Sequence, residues 1–415
     1  MTDSVFEISA CEVCGNEKLD PVLNLGNHAL CDDLIPIGSN SLTKKYPIEI
    51  LFCNKCKTAH QKYQVPKKNL FPEEYHYRSR FTSDVIRGMD DLVSSYEHKF
   101  DKLSKKNVLD IGCNDGSLLD IFASRGATTF GIEPTNAHIE AKKHHQHIYG
   151  DYISEEITLE IYKEFGNMDV ITFTNVFAHI ENLNEVLCSI ANIIGPNTVL
   201  IIENHYLGSI IDSNQFDTFY HEHPRSYSYN SFEFIASKLG LDILDVEFPS
   251  RYGGNIRVFL GKNKKIISME QSIKKAILKK EENFYKDLLA LQKAVNLWVK
   301  VKSKIINDLV KKHGKLPAKA FPGRAAILIE LLGINEDLIS AAYEKPNSMK
   351  VGHYIPGTKI PILSENHFFE KKTQTPIINL AWHISREIQD YLKDKGFSGK
   401  VIDILSLDDF NTKNI

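Results

Sequence analysis

Residues 217–227, Asp217-Thr-Phe-Tyr-His-Glu-His-Pro-Arg-Ser-Tyr227, form the densest polar cluster of the chain. Tyr220, His221, Glu222, His223, Arg225 and Tyr227 fall within eight positions. A histidine beside a carboxylate suits general-base work, because imidazole titrates near neutrality and the carboxylate can fix its tautomer. A tyrosine hydroxyl can donate to an oxyanion that develops nearby. Two His and a Glu are also metal-ligand types, but the spacing is not the helical His-Glu-x-x-His pattern, and Pro224 stops a helix from continuing. A structural hydrogen-bond network is the plainer alternative. Two further stretches stand out. Asn175-Val-Phe-Ala-His179 places a histidine one helical turn past Asn175, and Tyr75-His-Tyr-Arg-Ser79 sets Tyr75 and Tyr77 just ahead of a helical pattern at about 82–104. Each could border a ligand or simply be structural.

Such groups need a scaffold. Residues 105–260 alternate strand-like and helical runs, with strand patterns at 108–111, 128–132, 170–174, 199–203 and 256–260. This is the βαβ alternation of a mostly parallel, doubly wound sheet. Ligands of such sheets sit at the carboxyl ends of the strands. The informative residues are those just past each strand: Asn114 and Asp115, Glu133 and Pro134, Asn175 to His179, and Glu203 to Tyr206. The first of these loops joins the strand Val108-Leu-Asp-Ile111 to the helix pattern Ser117-Leu-Leu-Asp-Ile-Phe-Ala123. Gly112 and Gly116 carry no Cβ, so backbone N–H groups of this loop are expected to approach a ligand. Glu133, past the second strand, can accept both hydroxyls of a ribose. The expectation is a nucleoside-cofactor site drawing on Asp110, Gly112, Asn114, Gly116, Glu133, Pro134, Asp151 and Asn175. Arg257, after the Gly253-Gly254 turn, is expected to pair with a phosphate.

Seven cysteines include two Cys-x-x-Cys pairs, Cys11/Cys14 and Cys53/Cys56. Two such knuckles can place four thiolates around one tetrahedral ion. Four sulfurs leave no open position, so a structural Zn2+ is expected; four unligated thiols or a redox pair is the alternative. Cys31 has no partner in this pattern and is expected to be buried.

The 415 residues suffice for two to four domains at roughly 100–200 residues each. A net charge of -3 gives no general attraction to nucleic acid or to an anionic membrane. The start lacks a basic region followed by an apolar core, and no apolar run reaches the roughly 18 residues of a membrane span. A cytoplasmic protein is expected. Residues 263–313 are helical and Lys-rich, which fits a solvated helix face. Residues 314–415 open a second α/β unit, whose loops Phe321 to Arg324 and Trp382-His383 are expected to face a ligand. The expected division is 1–68, a zinc-binding domain; 69–262, the cofactor domain; 263–313, a helical connector; and 314–415, a substrate domain.

Taken together, these residues resemble the S-adenosylmethionine-dependent sugar C-methyltransferases that act on nucleotide-linked ketosugars. The resemblance spans essentially the whole chain. The paired Cys-x-x-Cys is similar to that family's N-terminal zinc domain, and Val108-Leu-Asp-Ile-Gly-Cys-Asn-Asp-Gly116 to the cofactor motif of class I methyltransferases. The more specific parts are Tyr75-His-Tyr-Arg-Ser79, Asn175-Val-Phe-Ala-His179, Tyr220-His-Glu-His223, Pro356-Gly-Thr358 and Ala381-Trp382.

The fold implied is a class I methyltransferase sheet, flanked by a small zinc domain and a C-terminal Rossmann-like α/β domain that helps hold the nucleotide. The reaction implied is methylation at carbon 3 of a dTDP- or GDP-linked 4-keto-6-deoxy sugar. The resemblance makes His223 the base, with Tyr220, Glu222, His179 and Tyr75 or Tyr77 in support. It implies neither a nucleic-acid nor a membrane partner, and a monomer or weak homodimer. O- or N-methylation of a nucleotide sugar is the other reading. Tyr252, the Phe321-Pro-Gly-Arg-Ala325 loop and His383 differ from the family's usual residues, at places where substrate is expected to be read.

Overall fold

The structure, a computed structural model, describes residues 5–41, 43–71, 78–81, 83–262, 270–371 and 373–410. The chain packs as two compact units. The first comprises Met1–Pro21, Leu51–Ile210 and Glu222–Tyr285; the second comprises Val22–Ile50, Ile211–His221 and Lys286–Ile415. The chain thus changes unit inside the strand Lys45–Cys53 and again between His221 and Glu222.

The first unit is built on seven strands: β1 (Asn107–Ile111), β2 (Thr128–Ile132), β3 (His147–Tyr149), β4 (Met168–Thr174), β5 (Ile194–His205), β6 (Asp242–Glu247) and β7 (Asn255–Gly261). Their order across the sheet is β6-β7-β5-β4-β1-β2-β3. The pairs among β1 to β5 are parallel, while β7 runs antiparallel to both β5 and β6. The sheet is therefore mixed. Sequence pattern misses two edge strands. β3 has three residues, too few for a periodicity, and β6 is mostly half-exposed.

Helix α1 (Ser83–Lys99) repeats apolar residues at Val85, Met89, Leu92, Val93 and Tyr96, one face of a 3.6-residue period. Helix α2 (Ser117–Ser124) adds Leu118 and Phe122. Both faces pack with Val108, Val170, Val199, Ile201 and Phe259 of the strands in one core. That core fixes the far side of the sheet, so the loops at the strand ends are held by rigid elements.

The second unit carries five parallel strands: β8 (Leu316–Lys319), β9 (Ile339–Glu344), β10 (Ile362–Ser364), β11 (Ile377–Asn379) and β12 (Val401–Asp403). Their order is β10-β9-β8-β11-β12, the doubly wound arrangement expected of residues 314–415. Ala341, Tyr343, Phe368, Ile377, Leu392 and Phe397 form a core of this unit. The Lys-rich stretch contains two helices, Gln271–Glu281 and Phe284–His313. Cys31 is buried in this unit, as expected.

Candidate active site

In the first sheet, strand order reverses between β1 and β4, which places a crevice at their carboxyl ends. The loop after β1 takes left-handed backbone at Gly112, Asn114 and Gly116, with φ of 74°, 49° and 84°. A Cβ on Gly112 would lie 2.5 Å from Cγ2 of Val176, on the loop after β4. Glycine is needed there because the two loops touch.

Five amides of this loop and the helix start are engaged within the protein. Gly112 and Cys113 donate to the carbonyl of Ile132, Gly116 donates to that of Cys113, and Ser117 donates to Oδ1 of Asp115. Asn114 N donates to Oε2 of Glu133 at 3.0 Å. These amides therefore reach a ligand only through the carboxylates that line the loop, not as a row of open donors. The arrangement does not suit a phosphate, which needs donors. It suits a ligand that carries positive charge, because buried carboxylates line the same place. Glu133 accepts Thr135 N and Oγ1 on its Oε1, at 2.9 and 2.6 Å. A carboxylate offers about four acceptor positions, so these three bonds leave capacity for a ribose hydroxyl. Asp110 accepts from Thr172 Oγ1 at 2.7 Å. Burial pushes its carboxyl up to about 7 against that hydrogen bond, and the neighbouring Glu133 charge adds to the rise. A cation placed beside Asp110 would restore its ionised form.

The remaining expected cofactor residues sit as follows. Pro134 is half-buried past β2. Asp151 is exposed past β3 and accepts from Tyr152 N at 2.7 Å. Asn175, at φ 55°, donates its amide to the carbonyl of Glu203 at 2.7 Å, and its Oδ1 accepts from Asn255 Nδ2 at 3.1 Å. Ser79, the end of the stretch expected to border a ligand, and Arg80, which sequence did not single out, stitch the cofactor loop to the residues ahead of α1. Ser79 N donates to Asn114 Oδ1 at 3.0 Å, and Arg80 Nε to Asp115 Oδ2 at 2.9 Å.

Three of the expected catalytic residues come together in this unit. A short 3-10 turn, Phe177–His179, follows Asn175 and is pinned by buried Phe177 and by Ala178 N donating to Asn204 Oδ1 at 3.3 Å. It presents His179 with its Nδ1 3.8 Å from Oε2 of Glu222. The rings of His179 and His223 are 4.8 Å apart, near perpendicular. His205, at the end of β5, lies with its ring 5.4 Å from that of His223. Its strand-end position was the available signal, but sequence alone gave it no role. Phe71 packs against His179 at 5.3 Å. His179 is only 19% exposed, and burial lowers its imidazole to about 4, so it is neutral at pH 7.

Tyr220 belongs to the second unit and is half-buried there. His221 is buried in that unit too, with Nε2 3.1 Å from the carbonyl of Tyr46. Tyr75 and Tyr77 lie outside the described residues. Arg257 does not offer itself to a phosphate: it is buried, its Nε donates to Glu203 Oε2 at 2.6 Å, and it also pairs with Glu247 and Asp91. Arg251 holds the other oxygen of Glu203. Two guanidiniums on one buried carboxylate make a structural network.

In the second unit the reversal falls between β8 and β11. The loops after these strands bring Arg324 Nε to Asp217 Oδ2 at 2.8 Å and Trp382 Nε1 to the same oxygen at 2.8 Å. The Arg324 guanidinium lies 5.3 Å from the centre of the Trp382 ring. Burial lowers His383 to about 4.

The four knuckle cysteines converge in the first unit, all sulfurs lying within 4.8 Å of one another. Cys11 and Cys56 are 3.3 Å apart, and Cys14 and Cys53 are 3.6 Å apart. Tetrahedral Zn–S bonds of about 2.3 Å require sulfurs about 3.8 Å apart, so the set fits a closed structural Zn2+ site.

Three family models match in succession: a zinc binding domain over residues 11–71, a methyltransferase domain over 81–246, and a C-methyltransferase C-terminal domain over 250–402. The C-methyltransferase NovU of Streptomyces niveus is 23% identical over 403 residues, covering 95% of this chain and 94% of that protein. A ubiquinone biosynthesis O-methyltransferase of Saccharophagus degradans is 26% identical over 114 residues, covering 27% of this chain and 48% of that protein. A solved structure, the magnesium protoporphyrin IX methyltransferase of Synechocystis, is 16% identical over 44% of this chain and 83% of its own, with a TM-score of 0.33. Among the described residues no helix is long and apolar enough to cross a membrane. With the three models in that order over a class I methyltransferase sheet and a four-cysteine site that fits zinc, the chain is an S-adenosylmethionine-dependent C-methyltransferase with an N-terminal zinc-binding domain.

Proposed function

We propose that this enzyme methylates carbon 3 of a nucleotide-linked 4-keto-6-deoxy sugar, with His223 as the base that removes the proton next to the ketone. The observation that carries the reading is the gathering of His179, Glu222 and His223, with His205, beside the ends of β4 and β5. Carbon methylation needs a carbanion, and a ketone acidifies the adjacent C–H enough for an imidazole to act on it when the enolate oxygen is stabilised. The sulfonium cofactor supplies an electrophilic methyl group. The chain's own residues do the rest.

His223 takes the proton and becomes an imidazolium. That charge is tolerated because His179, 4.8 Å away between ring centres, is held neutral by burial. A charged His179 would oppose it by about 3 kcal/mol at an effective dielectric of 20. Glu222 supplies the opposite charge to this histidine pair. Tyr220, with Tyr75 or Tyr77, is assigned to the enolate oxygen. Asp110, Gly112, Asn114, Gly116, Glu133, Pro134, Asp151 and Asn175 hold the cofactor. Arg324, Trp382 and His383, at the switch point of the second sheet, are assigned to a dTDP- or GDP-linked sugar.

The alternative is O- or N-methylation of a nucleotide sugar, a reading to which the O-methyltransferase relative lends support over 27% of the chain. Solvent deuterium exchange separates them. With nucleotide 4-ketosugars in D2O, the carbon enzyme incorporates deuterium next to the ketone, and His223→Ala lowers this about 10²- to 10⁴-fold. Methyl transfer without any exchange would support the alternative.

A further inference from the structure

Arg225 stands two positions past His223 and is fully buried. One terminal nitrogen lies 2.7 Å from Oε1 of Glu12. Both terminal nitrogens donate to the carbonyl of Glu181, at 3.3 and 3.4 Å, and Nε donates to the Tyr227 hydroxyl at 3.0 Å. One guanidinium therefore joins three pieces of chain. Glu12 lies inside the first Cys-x-x-Cys. Glu181 follows His179 by two residues, and Tyr227 follows His223 by four.

The backbone repeats the connection. The strand Thr58–Gln61 starts two residues after Cys56 and pairs antiparallel with Arg225–Ser226, with His60 opposite Arg225. Gln61 N donates to the Pro224 carbonyl at 2.8 Å. The hydroxyls of Ser228 and Ser231 both donate to the Cys56 carbonyl at 3.3 Å. Glu12 is held from its other side by Gln64 Nε2 at 2.8 Å, and His60 Nδ1 lies 3.5 Å away. A zinc knuckle that stabilised only itself would need none of this. A buried ion pair is expensive to desolvate and is retained where it fixes one arrangement against others.

We propose that Glu12 and Arg225 are positioning residues through which the zinc site fixes the placement of His223 and His179. The proposal rests on His223 being the base, and its test separates the two ideas. The full-length zinc-loaded enzyme and its Glu12→Gln variant are compared for zinc content, S-adenosylmethionine affinity by calorimetry, amide hydrogen exchange by segment, and kcat and KM for ketosugar deuteration.

Glu12→Gln is expected to keep its zinc and to bind the cofactor within about twofold, since that loop shares no partner with Glu12. Amide exchange across 222–228 and 177–181 should rise by about tenfold while 107–133 stays unchanged, and kcat should fall about 10- to 100-fold with KM little altered. Partial chelation of the unmutated enzyme gives the same contrast if the variant does not fold: 222–228 should lose protection before 107–133. Unchanged protection at 222–228 on zinc removal, or an equal rise in both segments, overturns the brace. If His223→Ala retains full deuteration, the base assignment fails, yet the amide-exchange contrast still decides the brace.

Discussion

The loop after β1 and the loop after β8 occupy the same topological place, the point where a doubly wound sheet reverses its strand order, yet they are made of different material. The first is nearly bare backbone. Gly112, Asn114 and Gly116 curl it tightly, and its polarity comes from Asp110 and Glu133 at the strand ends. The second is filled with side chains. Phe321 is buried, its amide donates to Glu344 Oε1 at 2.6 Å, and Arg324 lies on Asp217 and Trp382. Topology thus determines where a crevice forms, and the side chains in the loop determine what the crevice can recognise. A bare loop suits a cofactor of constant structure. A loop built of Phe, Pro and Arg, against which Trp382 of the loop after β11 stacks, can change its specificity without disturbing the sheet.

Substitutions at the paired glycines sharpen this contrast. Gly112→Val forces a branched side chain into left-handed backbone and into Val176, 2.5 Å from the new Cβ. Backbone strain of about 1–2 kcal/mol and overpacking of about 1–3 kcal/mol should weaken cofactor binding about 10²- to 10³-fold, as calorimetry would report. Gly323→Ala should leave that affinity unchanged and lower stability by about 1 kcal/mol, because its Cβ would meet Cys31 Cβ at a yielding 3.3 Å. Equal effects at the two glycines would break the comparison.

Asp217→Asn probes the side-chain loop. The amide oxygen can still accept from Trp382, but Arg324 loses its counter-charge in a place where Asp217 is fully buried. Unfolding of the second unit should become about 3 kcal/mol easier, with cofactor affinity unchanged. Trp298 and Trp382 are the only tryptophans of the chain and both belong to this unit, so their emission reports it selectively. An unaltered denaturation midpoint would mean that the Asp217–Arg324 pair does not hold the loop.

Much of this was legible in the sequence for local reasons. A strand, a glycine loop and a helix in twelve residues need no distant partner to be recognised, nor do two Cys-x-x-Cys pairs. What stayed hidden depends on contacts far apart in the chain. Arg257 looked available because nothing near it in sequence is Glu203, 54 residues away and buried beneath it. The polar run 217–227 reads as one cluster, yet packing assigns Tyr220 and His221 to one unit and Glu222 onward to the other. His205 becomes a neighbour of His223 only when β5 extends past the expected 199–203. The partners of the glycine loop's amides, Ile132 and Glu133, are supplied by the β1–β2 pairing and are not visible in the loop itself.

The smallest effect distinguishes the units by their buried histidines. Burial lowers His28 in the second unit, together with His221 and His383, the last two to about 4, and lowers His179 to about 4 in the first. In the first unit burial also lowers His60, but this residue touches Cys11 and answers to the metal. A folded value below the unfolded 6.5 means that the unfolded chain takes up the proton first. Stability is therefore retained above pH 6.5 and lost progressively as pH falls toward 4. Each such histidine contributes a slope of about 1.4 kcal/mol per pH unit at most in that window. Three in the second unit against His179 in the first predict a difference of at least about 1 kcal/mol per pH unit. Denaturation at pH 7, 6 and 5 checks it, with tryptophan emission for the second unit and amide protection of Asn107–Ile111 for the first. The emission midpoint should fall faster. Parallel pH dependence would show that His221 and His383 are already solvated, and that the side-chain loop is looser than its hydrogen bonds imply.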